Sequence, residues 1–173
     1  MAPRPLVEID SLRKTYDDLQ RGEIVGLDSL TLHANPGEVV GLLGANGAGK
    51  TTALRVVATL LLPTSGRAVV NGFDCVTQPE LVRRQIGFIS ANTAVYDRMS
   101  AWEFVEYFGK LHGLEQPELG ERMERLFDRL AMQPIRDRLG AKMSTGMKQR
   151  TSIARALIHD PPVLIFDEAT NGL

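Results

Sequence analysis

Residues Gly44–Thr51 read G-A-N-G-A-G-K-T and match the phosphate-binding loop pattern G-x-x-x-x-G-K-[ST] at every fixed position. Glycines in such a loop let the backbone curl, so that successive N–H groups point into one concave surface that suits an anion. Lys50 adds a positive charge for terminal phosphates, and the hydroxyl of Thr51 can coordinate a magnesium ion. The alternative is a glycine-rich turn that matches the pattern by chance.

The segments on both sides of this loop fit the order strand, loop, helix. The apolar run Val39–Leu43 predicts a buried strand, and Thr52–Ala58 predicts a helix directly after the loop. A helix N-terminus favours phosphate because its first N–H groups have no partner within the helix and its dipole is positive there. This order favours a true phosphate loop over a chance match.

Composition limits the class of protein. A length of 173 residues predicts one domain, or one domain with a small insertion. The net charge of -1 gives no electrostatic argument for nucleic acid or an anionic membrane surface, so no nucleic-acid partner is expected. The single cysteine, Cys75, excludes an internal disulfide and is interpreted as a small apolar residue rather than a reactive thiol. With no run of membrane-span length and no signal-peptide core at the N-terminus, a cytoplasmic location is expected.

The remaining pattern predicts an α/β core with a helical insertion. Between about Ala101 and Arg138 the apolar residues recur at helical spacing, and we assign about 93–145 to the insertion. The other predicted elements are strands at 5–11, 24–33, Arg67–Val70 and Ile86–Ser90, a turn at Asp17–Gly22, and helices at Pro79–Arg84 and Met147–His159.

A second motif consists of an apolar run that ends in two acids. Val163–Phe166 predicts a short buried strand, followed by Asp167 and Glu168. Such a strand can deliver one carboxylate that holds magnesium through water and a second that polarises an attacking water. Many strands end in acids, so the motif carries weight only because it lies downstream of a phosphate loop.

A third motif precedes that strand. Residues 143–150 read M-S-T-G-M-K-Q-R, and Ser144 and Gly146 precede the predicted helix. They offer a hydroxyl and free backbone N–H groups at a helix N-terminus. Taken by itself, this motif is better described as a plain helix cap.

Together and in this order, the three motifs resemble those of the ATP-binding subunits of ABC transporters. The S-T-G-M run is similar to the family's signature sequence, usually L-S-G-G-Q. With I-G-F-I-S at Ile86–Ser90 and A-V-Y-D-R-M-S at 94–100, the chain is most similar to the sodium-extrusion type, which works with separate membrane-spanning subunits. The resemblance extends from about Leu6 to Leu173. It implies an α/β fold of the P-loop NTPase type: an ABC-type ATPase core with an antiparallel β-subdomain and a helical insertion.

The resemblance divides residues 1–173, as one ATPase domain, into a core at 1–92 and 146–173 and a helical subdomain at about 93–145. It implies that Tyr16 stacks on adenine, the alternative for Tyr16 being a packing residue at a strand end. Glu168 would be the catalytic general base, and Thr51 and Asp167 would hold Mg²⁺. The residues implied to bind the phosphates of ATP are Gly44, Asn46, Gly47, Gly49, Lys50, Thr51 and Thr52.

The resemblance also implies the partners. Ser144, Thr145 and Gly146 would contact the terminal phosphate of ATP held by a second ATPase subunit, so a homodimer is expected. Integral membrane subunits would hold the protein at the inner face of the cell membrane, and ATP hydrolysis would power export, with sodium as the implied substrate.

The chain departs from the family pattern in three places. A glutamine usual after the Ile86–Ser90 strand falls on Ala91, with the polar Asn92 next to it, and a proline usual after the acidic pair is Ala169. The family also continues beyond the position of Leu173 with an aspartate that helps form the dimer and a histidine that contacts the terminal phosphate, so a C-terminally truncated ATPase domain is expected. Two alternatives therefore stay open: a non-catalytic nucleotide-binding remnant, and a non-transport ABC ATPase. The second is disfavoured because the chain has neither a second ATPase domain nor a long coiled coil.

Overall fold

The computed structural model describes residues 4–20, 22–90 and 94–167, and the chain divides into two compact units, Met1–Ile86 and Gly87–Leu173. The elements of the first unit are β1 (Val7–Asp18), β2 (Gly22–Ala34), α1 (Lys50–Val57), β3 (Ser65–Val70), β4 (Phe73–Asp74) and α2 (Pro79–Arg83). Those of the second are β5 (Ile86–Ser90, whose first residue ends the first unit), α3 (Ala101–Leu111), α4 (Glu118–Arg129), α5 (Thr145–Leu157) and β6 (Val163–Asp167), with short 3₁₀ turns at Gln133–Ile135 and Gly140–Lys142.

The first unit is built on an antiparallel four-stranded sheet with the strand order β2-β1-β3-β4. Its core includes Ile9, Leu12 and Val70, which are almost fully buried. β1 and β2 pair as far as Asp18 and Gly22. The turn predicted at Asp17–Gly22 is therefore too long, because both strands keep their ladder hydrogen bonds until the hairpin closes.

The buried strand predicted at Val39–Leu43 is wrong for this structure. The segment has no strand geometry, and the side chains of Val39 and Leu43 are fully exposed. A strand needs a neighbour for its backbone N–H and C=O groups. Among the strands that the structure describes, none pairs with this segment, so hydrophobicity alone does not make it a strand.

The second unit has its own helical core. Fully buried side chains of α3 and α4, with Met132 and Ile158, form one apolar cluster, and the Trp102 and Phe127 rings meet edge to face at 5.0 Å. Ser100 starts α3 with a capping box to Glu103, in which each side chain accepts a hydrogen bond from the other residue's backbone N–H. The helical pattern predicted over this stretch is confirmed.

Two predicted elements of the second unit differ in detail. Helix α5 begins at Thr145, two residues before the predicted start, because Ser144 accepts a hydrogen bond from Met147 N–H and acts as the N-cap. β6 forms a two-stranded sheet with β5 and is only half-buried: Leu164 and Phe166 are exposed, whereas Ile165 and Asp167 are buried. An uninterrupted apolar run predicted burial on both faces, which the described sheet does not provide.

Asp74 organises the turn between β4 and α2. Its Oδ1 accepts hydrogen bonds from the N–H groups of Val76 and Thr77, and its Oδ2 accepts one from Arg67 Nε at 2.9 Å. Burial raises the pKa of this carboxyl, but the hydrogen bonds from Arg67, Thr77 and Val76 outweigh burial and lower the pKa to about 2. The ionised carboxylate is therefore part of the folded structure.

Asp74→Asn is expected to lower the free energy of unfolding by about 2 kcal/mol near neutral pH. The folded pKa is depressed, so the stabilisation is present above the unfolded pKa and is lost as pH falls from about 4 toward about 2. Urea unfolding at neutral pH and at about pH 3 measures the effect, with the exposed Asp17→Asn as the control. A stability difference that is the same at both pH values would contradict this account.

Candidate functional site

The phosphate-loop pattern lies directly before α1. The backbone at Gly47 and Gly49 has φ of 84° and 85°, in the left-handed region that favours glycine. Gly49 is the N-cap of α1, and no side chain caps the helix. Its first turn contains no acidic residue, so no carboxylate there offsets the positive end of the helix dipole.

Lys50 folds back over the loop. Its ammonium Nζ donates hydrogen bonds to the carbonyl oxygens of Gly44 at 2.7 Å and Ala45 at 2.8 Å. Residues 44–48 are exposed, and Lys50, Thr51 and Thr52 are half-buried in the first turn of α1. The structure thus brings the seven predicted phosphate-binding residues into one exposed loop and helix start, with the charge of Lys50 held at the loop.

Tyr16 lies on β1, opposite Ile24 of β2, and its side chain is 41% exposed. The Lys14 ammonium lies 5.3 Å from the centroid of the Tyr16 ring, which is within the range of a cation–π contact. The ring is therefore accessible, as a stacking role requires.

The signature-like motif forms the exposed start of α5 in the second unit. Ser144 is the N-cap, and Thr145 and Gly146 are the first helical residues rather than residues that precede the helix. A Cβ built on Gly146 meets no atom within 4 Å. The N-terminus of this 13-residue helix is thus open at the surface, in a form that can meet an anion.

Asp167 is the buried last residue of β6. The predicted base Glu168 and the departures at Ala91 and Asn92 lie outside the described residues. Within the described ranges, no group of three or more His, Cys, Asp or Glu residues could hold a metal ion, and no helix is both long and apolar enough to cross a membrane.

The surroundings of Cys75 determine the reactivity of its thiol. Cys75 is buried, and this burial, with a smaller contribution from Asp74, raises the pKa of the thiol to about 12. A thiol with such a pKa is inert, as predicted.

Sequence patterns missed Gly26. This residue lies on β2 and contacts both Tyr16 and Gly49. Because a single glycine in a strand matches no motif, only the register of β1 against β2 reveals it.

The sequence profile described as ABC transporter matches residues 27–171. The chain is 49% identical over 169 residues to the ABC transporter ATP-binding protein NatA of Bacillus subtilis, covering 97% of this chain and 68% of NatA. It is 38% identical over 167 residues to the doxorubicin resistance ATP-binding protein DrrA of Mycobacterium tuberculosis, covering 96% of this chain and 50% of DrrA.

Solved structures give the same result. An ATP-binding subunit of an ABC transporter superposes with a TM-score of 0.86 at 30% identity, over 97% of this chain and 68% of the other. A dimeric ATP-binding cassette in a post-hydrolysis state, bound to ADP and Pi, superposes with a TM-score of 0.84 at 26% identity, over 96% and 75%.

The predicted fold class is confirmed: an α/β P-loop NTPase of the ABC type, with an antiparallel β-sheet and a helical part. The resemblance drawn from the three motifs is confirmed as well. The chain spans about two thirds of NatA and about half of DrrA. By the profile that matches residues 27–171 and by its identity to NatA, the chain belongs to the ABC transporter family of ATP-binding proteins.

Proposed function

We propose that this chain binds MgATP through Gly44–Thr52 and, in a dimer of ATPase subunits, hydrolyses it to power export through separate membrane subunits. The observation that carries the proposal is the position of the Lys50 ammonium, which is held at the exposed loop by the carbonyl oxygens of Gly44 and Ala45. The two carbonyl oxygens accept hydrogen bonds from the ammonium but do not neutralise its charge. A phosphate group does both, because charge-assisted hydrogen bonds are shorter and stronger than those to neutral acceptors.

The loop fits a phosphate group in its backbone as well. Gly47 and Gly49 hold the left-handed conformation that turns consecutive N–H groups toward one side. The first N–H groups of α1 have no side-chain cap. A phosphate bound at this helix start would accept hydrogen bonds from the backbone N–H groups there.

The hydrolytic residues are proposed from the motifs. Thr51 and Asp167 would hold Mg²⁺, whose charge offsets that of the phosphate oxygens. Glu168 would orient a water and accept its proton. The position of Asp167 supports its part, because it is the last residue of β6, where the motif predicts a carboxylate at the end of an apolar strand.

The partner is proposed to be a second ATPase subunit, most simply another copy of this chain. The open start of α5 at Ser144–Gly146 supports this, since a helix N-terminus on the surface can meet a phosphate bound to another subunit. The related cassette bound to ADP and Pi is dimeric.

We assign 1–92 and 146–173 to the ATPase core and about 93–145 to the helical subdomain.

The location and transported substrate are proposed from similarity. Membrane subunits would hold the protein at the cytoplasmic face of the membrane. Sodium is proposed as the substrate because the S-T-G-M signature resembles that of the sodium-extrusion type. DrrA, named for doxorubicin resistance, is 38% identical and makes drug export the second candidate. Sodium and drug efflux from cells that express the chain with its membrane subunits separates the two.

Lys50→Ala is expected to weaken ATP binding about thirtyfold, because it removes a charge-assisted contact worth about 2 kcal/mol. Calorimetric titration with MgATP measures the affinity. Arg55→Ala is the matched control, since Arg55 is an exposed cation in the last turn of the same helix. Equal affinity of the Lys50→Ala protein and the wild type would refute phosphate binding by this loop.

Glu168→Gln is expected to abolish phosphate release while ATP binding is kept, because only the activation of water is lost. Ala91→Gln should change turnover far less. Phosphate release and calorimetry on the same preparations provide both readouts. Undiminished hydrolysis by the Glu168→Gln protein would exclude Glu168 as the base, and a wild type that binds ATP without hydrolysing it would favour the non-catalytic alternative.

A further inference from the structure

Gly26 occupies an irregular position in β2. Lys14 of β1 lies opposite Leu27, but the next residue, Thr15, lies opposite Val25. Gly26 is therefore the extra residue of a β-bulge, because β2 has one residue more than β1 between these two pairs. Bulges bend a strand and re-aim its side chains, and they occur often beside functional sites.

The Tyr16 ring occupies the space that a side chain at position 26 would need. A Cβ built on Gly26 would overlap Tyr16 Cε2 and lie 3.0 Å from Cδ2. The φ of Gly26 lies outside the left-handed region, so no positive φ requires glycine at this position. The ring alone is what requires glycine here.

The same bulge also supports the phosphate loop. A Cβ built on Gly49 would lie 2.6 Å from the carbonyl oxygen of Gly26 and 2.9 Å from Cδ1 of Leu27. The backbone of Gly49 thus packs directly against the bulge. Gly26 is thus in contact with both the Tyr16 ring and the start of α1.

We propose that Gly26 is a positioning residue for the nucleotide base, which by lacking a side chain seats the Tyr16 ring beside the phosphate loop. The proposal rests on the proposed function, in which Gly44–Thr52 bind the phosphates and Tyr16 stacks on the base. Base and phosphates are joined through one ribose, so the ring and the loop must keep a fixed separation. Contact of both with Gly26 provides it. A methyl group at position 26 moves the ring and leaves the loop in place.

The test compares a ligand that has a base with one that has none. Calorimetry with MgATP and with magnesium tripolyphosphate is performed on the wild type, Gly26→Ala, Tyr16→Ala and the double variant. Because base–aromatic stacking contributes strongly to nucleotide affinity, Tyr16→Ala is expected to weaken ATP binding about tenfold and Gly26→Ala about fivefold. Neither should change tripolyphosphate binding, and the double variant should bind ATP no more weakly than Tyr16→Ala, because without the ring the methyl group displaces nothing.

Val25→Ala is the control for a change in the same strand, since Val25 is the exposed neighbour of Gly26, and its ATP affinity should match the wild type. Unchanged ATP affinity in Gly26→Ala overturns the proposal, as does an equal loss for ATP and tripolyphosphate or a loss that adds to that of Tyr16→Ala. If Gly26→Ala fails to fold, the double variant must fold, because the overlap is with the ring. A double variant that also fails to fold overturns the proposal. A wild type that binds neither ligand refutes the proposed function itself.

Discussion

The proposed nucleotide site of this protein depends on a positive charge held by neutral oxygens. The Lys50 ammonium is bonded to the carbonyls of Gly44 and Ala45, in a loop whose residues 44–48 face solvent. This arrangement requires a backbone that reverses direction within a few residues, which explains the positive φ of Gly47 and Gly49. Gly49 is constrained twice, because its contact with the Gly26 carbonyl leaves no space for a side chain.

The two units carry different parts of the proposed chemistry. The first contains the phosphate loop and Tyr16, whereas the second contains the open start of α5 and Asp167. A different structural element supports each part. The bulged antiparallel sheet supports the loop, and a helical core around Phe104 and Phe127 supports α5. Substitutions in the helical core should therefore alter the start of α5 rather than the phosphate loop.

Local patterns predicted the elements whose stability depends on short-range contacts. The helices between Ala101 and Arg129 were predicted because apolar spacing is encoded within one or two turns, and α1 was predicted from the run that follows the glycine-rich loop. The strand at Val39–Leu43 was wrong because a strand depends on a neighbour that hydrophobicity does not specify. β6 was expected to be buried on both faces because its apolar run is uninterrupted, but Leu164 and Phe166 are exposed.

The same distinction between local motifs and long-range contacts applies to the candidate site. Motif spacing predicted the phosphate loop because each of its functions lies within eight consecutive residues. Gly26 could not be found by spacing, since its contacts join β1, β2 and α1 and depend on a one-residue shift in strand register. The open start of α5 was interpretable from sequence only as a cap or as part of a family motif, and the structure defines Ser144 as its N-cap.

The central claim is that the backbone N–H groups from Gly47 to Thr52 receive the phosphates of a nucleotide. Amide hydrogen exchange of this segment with and without saturating MgATP tests it most directly, with the turn at Asn71–Gly72 as an internal reference. The account predicts that exchange in the loop and first turn of α1 slows at least about tenfold while the reference turn is unchanged. Exchange in the loop that is the same with and without MgATP would contradict it.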